Sequence, residues 1–234
     1  NTPTIVVLVN GRPLAVEWIA EHIPAIIEAW LPGSEAGHAV ADVLFGDFNP
    51  GGKLPVSIPK SVGQLPVHYN RTHMATNRKY IFDDNRPLYP FGFGLSYTTF
   101  AYENLSVTPQ EVKGASQIEV EFDLINTGEV AGDEVVQLYI SDLFASLVRP
   151  VKELKGFRRI HLEPGESKRV CFKLSSDQIA FYDKNMNLIV EPGEFQVQVG
   201  SSSQDIRLTG QFEVKGNVKV IPHARTYFAQ SELA

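Results

Sequence analysis

Cysteine, long apolar runs and positive charge are scarce in this sequence, and each shortage removes a class of protein. The one cysteine, Cys171, cannot close a disulfide within the chain and has no His or Asn motif beside it, so we interpret it as a half-buried strand residue. No apolar run approaches the roughly 20 residues that span a bilayer. Residues 1–100 hold 7 Lys or Arg against 8 Asp or Glu, and residues 101–234 hold 14 against 19. Neither half offers the basic face that nucleic acid or an anionic membrane requires.

Motifs for metals and phosphates are missing as well. Gly11 and Gly33 belong to no glycine-rich phosphate loop. His22 and His38 stand alone on predicted helices, and no HExxH motif or cysteine pair accompanies them. The sequence therefore predicts no metal site and no cofactor.

The first part of the chain alternates strands and helices, which is typical of α/β proteins. The predicted elements are a strand at 5–9, a helix at 14–23, a second apolar run at 25–31 and a helix from 34 to 46. The first strand is a continuous β-branched run, which predicts a parallel strand covered on both faces. We expect Ser34 to cap the second helix, Glu35 to lie in its first turn and Gly46 to end it. Its predicted buried stripe is Ala36, Val40, Val43 and Leu44.

From residue 101 the apolar period changes to two, which indicates antiparallel strands. The predicted strands lie at 118–124, 134–140, 151–160, 168–174, 194–199 and 206–214. Several short strands separated by Gly- and Pro-containing turns are typical of a β-sandwich. The expected division is an α/β part at 1–66, a loop and linker at 67–100, a β-sandwich at 101–216 and a tail at 217–234. The tail has no turn signals for a strand pair, so we expect it to lie against another surface or to be partly disordered.

A segment without any periodic pattern, from residue 60 to residue 90, is rich in polar and aromatic side chains. So long a stretch inside a compact domain is usually functional or a linker. Tyrosine rings can stack on a ring-shaped ligand, and His and Arg can donate hydrogen bonds to its polar groups. The candidate substrate-binding residues are His68, Tyr69, Arg71, His73, Arg78 and Tyr80. The alternative is that this segment only packs the sandwich against another domain.

Successive motifs resemble those of one family, the family 3 glycoside hydrolases. In the first part these motifs are NGRP at 10–13, AWLPGSEAG at 29–37, ADVLFGD at 41–47 and NPGGKLP at 49–55. The segment PFGFGLSYTTF at 90–100 is similar to the entry into the fibronectin type III-like domain of those enzymes. Matching motifs of that domain are NTG at 126–128, GDEVVQLY at 132–139 and PVKELKGF at 150–157. The resemblance implies an α/β plus all-β chain: the C-terminal half of an α/β sandwich domain, followed by a fibronectin type III-like antiparallel β-sandwich.

The same resemblance implies a retaining, exo-acting β-glycosidase, most simply a β-glucosidase, that removes terminal β-linked sugars from oligosaccharides or glycosides. In the family, an Asp nucleophile belongs to a barrel domain, and a Glu acid/base precedes the strand that resembles residues 5–9. Neither position has a match here, so we expect no catalytic residue in this chain and no activity from it alone. The expected partners are the substrate and the missing barrel with the first half of the α/β domain, in another chain or in sequence not shown.

Two alternatives stand beside this interpretation. Glu35 could act as a general acid, but a helix start stabilises its ionised form, which favours a structural role. The chain could instead be a carbohydrate-binding or scaffold module, which would need an aromatic platform on one sandwich face. The sandwich aromatics are Tyr102, Tyr139, Phe144, Phe157, Phe181, Tyr182 and Phe195, most of them at core positions. The habit of polysaccharide-degrading enzymes favours secretion or the periplasm over the cytoplasm, and an oligomer stays open.

Overall fold

The computed structural model describes residues 2–72, 85–222 and 225–233. These residues form an α/β part joined to a β-sandwich, as the sequence predicts. Among them, no helix has both the length and the apolar character needed to cross a membrane.

The α/β part contains two parallel strands and two helices. Its elements are β1 (Ile5–Val9), α1 (Glu17–His22), β2 (Ala25–Trp30) and α2 (Ala36–Phe45). Ile5 lies opposite Ala25, and the β-branched residues of β1 continue the parallel pairing along β2. Helix α1 is shorter than predicted because it begins only after Val16. Helix α2 ends where predicted, at Gly46, whose φ of 86° is costly for residues with a side chain.

The start and the apolar face of α2 differ from the prediction. Glu35, not Ser34, occupies the N-cap position, and no side chain caps the helix. None of the predicted stripe is buried, and Leu44 is 37% exposed. An apolar helix face is buried only when a second layer packs against it, and the described residues do not supply that layer.

Large apolar side chains remain exposed over the whole α/β part. Exposed fractions are 63% for Val9, 65% for Trp18, 76% for Leu31 and 84% for Phe45. Within the described residues β1 pairs with one strand only, and none of its five residues is buried, so the expected cover on both faces is not provided. The α/β part therefore has the composition of a protein interior without the layers that would enclose it.

The β-sandwich is built from two large sheets and a small one in the described part of the chain. Its strands are β3 (Phe100–Thr108), β4 (Glu111–Lys113), β5 (Gln117–Asn126), β6 (Gly132–Asp142), β7 (Glu153–Leu162), β8 (Ser167–Ser175), β9 (Phe181–Tyr182), β10 (Leu188–Val190), β11 (Gly193–Gly200), β12 (Ile206–Lys215), β13 (Val218–Lys219) and β14 (Gln230–Leu233). The strand orders are β4-β12-β11-β6-β7, β14-β8-β5-β3 and β13-β10-β9. Short 3₁₀ helices occupy Val62–Gln64 and Ser176–Ile179.

The sandwich core follows the alternation of the sequence. In β5 every second residue from Ile118 onward is buried, and the intervening residues face outward. Phe122 stacks between Tyr102 and Phe172, with ring centroids 5.9 and 6.3 Å away. Burying each such side chain contributes about 1.5–3 kcal/mol. Cys171 is half-buried on the outer side of β8, as predicted.

The C-terminal tail adds a strand that the sequence did not predict. Strand β14 pairs antiparallel with β8, so that Leu233 lies opposite Val170. Just before it, the Ala229 amide donates to the Lys155 carbonyl over 2.6 Å. The tail thus lies against another surface of the same chain and covers the outer edge of β8.

Candidate functional site

The carboxyl ends of β1 and β2 form the first candidate site, because ligands of open α/β sheets approach this edge. One carboxylate ties the two ends together. Glu28 Oε1 accepts hydrogen bonds from Asn10 Nδ2 at 2.9 Å and from the Trp30 amide at 3.2 Å. The Asn10 amide in turn donates to the Trp30 carbonyl over 3.0 Å. Glu28 therefore positions the points at which both loops leave the sheet.

Trp30 is held in an unusual backbone conformation. Its φ of 51° lies in the left-handed region, which a bulky residue adopts only when its surroundings enforce it. The enforcing contacts are those of Glu28 and Asn10. Sequence reasoning named none of the three as a site residue, although Asn10 and Trp30 lie in the motifs NGRP and AWLPGSEAG.

Glu35 and His38 form a pair at the start of α2. The distance from Glu35 Oε2 to His38 Nδ1 is 2.9 Å, and their side chains are 82% and 87% exposed. In this chain Glu35 is a solvent-exposed residue at the N-cap position, and not in the first turn of the helix as predicted.

Tyr69, a candidate sugar-stacking residue, packs on the sandwich. Its ring stacks on Phe91 with centroids 4.4 Å apart and meets the edge of Tyr139 at 5.8 Å. Its hydroxyl accepts a hydrogen bond from the Leu154 amide at 3.1 Å. Burial raises the pKa of this phenol. These contacts give Tyr69 an anchoring role in the fold.

The other candidates of this segment divide into three groups. Arg71 is also anchored, since its Nη1 donates to the Asn85 carbonyl at 2.9 Å and its carbonyl accepts from the Val151 amide at 2.9 Å. His68 is exposed and lies next to the anchored Tyr69. The remaining candidates lie outside the described residues: His73, Arg78 and Tyr80.

A buried ion pair joins the α/β part to the sandwich. Lys53 Nζ lies 3.1 Å from Glu134 Oε1, and the two side chains are only 11% and 6% exposed. Ser201 Oγ donates to the same Glu134 oxygen at 3.1 Å and accepts from Lys53 Nζ at 2.7 Å. The sequence places Glu134 on a strand but carries no signal for its partner 81 positions earlier.

Two glycines of the 90–100 motif bring the chain close to the sandwich. Gln137, which is 3% exposed on β6, donates to the Gly92 carbonyl at 3.1 Å and to the Ser201 carbonyl at 2.7 Å. A Cβ at Gly92 would collide with the Gln137 amide, and a Cβ at Gly94 would collide with the Gly52 carbonyl. Close backbone approach is thus a physical reason for glycine at both positions.

The aromatic platform of a binding module is not assembled on one strand face. Tyr102, Tyr139 and Phe195 are core residues at 8%, 0% and 2% exposure. The exposed aromatics Phe144, Phe157 and Tyr182 lie on a turn, on β7 and on β9, respectively. No group of three potential metal ligands occurs among the described residues.

Comparisons with known proteins match both parts of the chain. The model of the glycosyl hydrolase family 3 C-terminal domain matches residues 1–97, and that of a fibronectin type III-like domain matches residues 134–203. A beta-xylosidase of Formosa agariphila is 50% identical over 205 residues, which cover 86% of this chain and 28% of that protein. A periplasmic beta-glucosidase of Salmonella typhimurium is 43% identical over 224 residues, covering 91% of this chain and 29% of that protein.

Solved structures show the same arrangement. The crystal structure of a beta-glucosidase from Listeria innocua in complex with glucose has a TM-score of 0.87 and 41% identity, and the match covers 92% of this chain and 31% of that chain. Fold and junction thus define a two-part protein: a portion of an α/β domain locked to a fibronectin type III-like sandwich. The chain belongs to glycoside hydrolase family 3, as the C-terminal part of that architecture. It spans under a third of the length of the curated relatives just named, 28% and 29%.

Proposed function

We propose that this chain is the C-terminal portion of a retaining, exo-acting β-glycosidase with β-glucosides as substrates. The observation that carries the proposal is the uncovered parallel sheet of β1 and β2, locked through a buried ion pair to a closed sandwich. Parallel sheets need layers on both faces, so the α/β part is built to be completed by further elements. The names of the relatives, a beta-xylosidase and a beta-glucosidase, support the reaction class.

In this proposal the bond-breaking carboxylates lie outside the chain. A retaining enzyme needs a nucleophile and an acid/base about 5–5.5 Å apart, so that the nucleophile reaches the anomeric carbon directly. The proposed division of the chain is an α/β part at 1–66, a loop and linker at 67–100, a sandwich at 101–216 and a tail at 217–234. The rigid junction then holds the sandwich in a set place relative to the completed α/β domain.

Within the loop we assign two roles. Tyr69 and Arg71 anchor the segment to the sandwich through the ring and backbone contacts described above. His68 and the candidates beyond residue 72, which are His73, Arg78 and Tyr80, would then reach toward the substrate. Anchoring at Tyr69 and Arg71 favours such contacts, because a segment that is fixed at one end loses less conformational entropy when it binds a ligand.

The test compares this chain with a polypeptide that also contains the upstream barrel and α/β residues. The longer polypeptide should hydrolyse 4-nitrophenyl β-D-glucoside, with 4-nitrophenyl β-D-xyloside as the competing substrate, and the chain alone should not. Proton NMR of the first product should show the β-anomer, because two successive displacements retain configuration.

Turnover by the pure chain would place the chemistry on residues of this sequence and end the proposal. An α-anomer as first product would exclude the retaining mechanism. Faster hydrolysis of the xyloside would support a β-glycosidase but show that β-xylosides, and not β-glucosides, are its preferred substrates.

A further inference from the structure

A surface cleft of about 650 Å³ lies where the α/β part meets the sandwich. The Lys53–Glu134 pair and Ser201 contribute to its lining, and Asp205 and Arg207 do so from β12 and the turn before it. Ligand sites of proteins commonly have volumes of roughly 300–1,000 Å³. The cleft is therefore large enough for a small organic ligand.

The charges that line this cleft cancel. Lys53 and Arg207 are the cations, and Glu134 and Asp205 are the anions. Lys53 Nζ uses its three donors on Glu134, on Ser201 Oγ at 2.7 Å and on the Gly94 carbonyl at 3.3 Å. Because every charge already has a partner, a charged ligand would gain no unpaired counter-charge here. The cleft suits a neutral ligand.

The rim of the cleft presents neighbouring hydrogen-bonding groups. Arg207 Nε and Nη2 donate to Asp205 Oδ1 and Oδ2 at 2.5 and 2.7 Å. Arg207 Nη1 makes no hydrogen bond to any described residue, and the same holds for the side-chain amide of the exposed Gln204. Adjacent donors and acceptors of this kind match the vicinal hydroxyls of a sugar.

The wall of the cleft is apolar. Phe93, Leu95 and Phe100 line it, and Leu95 is 74% exposed. Phe93 is held in place by stacking on Tyr89, with ring centroids 5.1 Å apart. Sugar rings pair an apolar C–H face with polar edges, so an apolar wall below a polar rim is complementary to them.

Tyr102 also contributes to the lining, as a core residue. It is 8% exposed, its ring stacks on Phe122, and the Arg207 guanidinium lies 6.0 Å from the centroid of that ring. The packed ring of Tyr102 therefore supports Arg207 at the rim of the cleft.

We infer that this cleft binds a neutral oligosaccharide, held by the Arg207–Asp205 rim and the Phe93–Leu95–Phe100 wall. The inference goes beyond the proposed reaction, because it uses residues of this chain alone. It assigns a binding role to Asp205 and Arg207, which no motif of the sequence singles out, and to apolar residues of the 90–100 motif.

The experiment titrates the intact chain with cellotriose, xylotriose and trigalacturonate and measures binding by calorimetry. One or both neutral trisaccharides should bind, and the anionic one should not. Arg207→Ala should weaken binding about tenfold or more, the effect of losing a hydrogen bond to a charged group. The matched control is Arg159→Ala, which removes a guanidinium paired with Asp133 outside the cleft and should leave affinity unchanged; the Arg159 side chain is 55% exposed and that of Arg207 45%.

Leu95→Ser provides a second variant, at the apolar wall. It should weaken binding without lowering the melting temperature, because Leu95 lines the cleft and is 74% exposed. Failure of both neutral trisaccharides to bind, equal affinity for trigalacturonate, or equal losses in the two arginine variants would overturn the inference. Binding is measured on this chain and hydrolysis on the longer polypeptide, so the two proposals fail separately.

Discussion

Replacing Lys53 by methionine should destabilise the whole chain, because the Glu134 carboxylate then stays buried without its cation. The two side chains are 11% and 6% exposed, so little of the interaction is screened by solvent. Removing one partner of such a buried pair costs about 3–5 kcal/mol of unfolding free energy. Replacing both partners, Lys53→Met with Glu134→Leu, should cost less than the single change, because no charge is then left buried.

Two optical signals separate the parts of the molecule in this assay. Both tryptophans, Trp18 and Trp30, lie in the α/β part, so their fluorescence reports its unfolding. Far-UV circular dichroism mainly reports the sandwich strands. In urea titrations, Lys53→Met should shift both transitions to lower denaturant concentration, since the pair joins the two parts.

An exposed ion pair on the same sandwich serves as the control. Lys215 and Glu213 are 41% and 44% exposed, so Lys215→Met should cost no more than about 1 kcal/mol. The buried-pair argument is refuted if Lys53→Met costs as little as this control, or if the double variant is less stable than Lys53→Met alone.

Two further predictions concern the junction and a surface histidine. Gly94→Ala should lower the melting temperature, because the new Cβ would collide with the Gly52 carbonyl and push the junction off the sandwich. The hydrogen bond from His161 to the Asp133 carboxylate, opposed by slight burial, raises the pKa of His161. His161 therefore stabilises the fold below its unfolded pKa of about 6.5 and loses this effect as pH rises through the higher folded pKa. In His161→Gln the melting temperature should therefore change less with pH between the unfolded and the folded pKa of His161.

The glycine prediction has a matched comparison, and both predictions have an outcome that would contradict them. Gly37→Ala in α2 meets open space and should stabilise the helix by about 0.5–1 kcal/mol, in contrast to Gly94→Ala. Equal effects of the two alanines would contradict the steric argument. An unchanged pH profile in His161→Gln would show that the histidine is not linked to folding.

The main strands of the sandwich were predictable from the sequence, and the C-terminal strand β14 was not. Alternation at 118–124 and 168–174 predicted β5 and β8 because one face of each strand is buried by residues of the same chain. Strand β14 has only four residues and no alternation that marks it. Its pairing depends on the free edge of β8, which exists only once the sandwich has formed.

In the α/β part the order of elements was predictable from the sequence, and the burial of side chains was not. The order strand, helix, strand, helix was correct, but the buried stripe of α2 was not, because burial depends on layers outside the described residues. The candidate loop divided in the same way. Composition marked His68, Tyr69 and Arg71 alike, and packing against Phe91 and Val151 distinguished the anchored residues from the exposed histidine.

Local pattern and family motifs by themselves determined the fold class, the order of the two parts and the protein family, since strand alternation and turn glycines are properties of neighbouring residues. Tertiary structure decided which distant groups meet: Lys53 with Glu134, Glu28 with Trp30, and Arg207 beside Tyr102 at the cleft. Sequence separation carries no information about such encounters. These contacts form only when strands and turns that are distant in sequence come together in the folded chain.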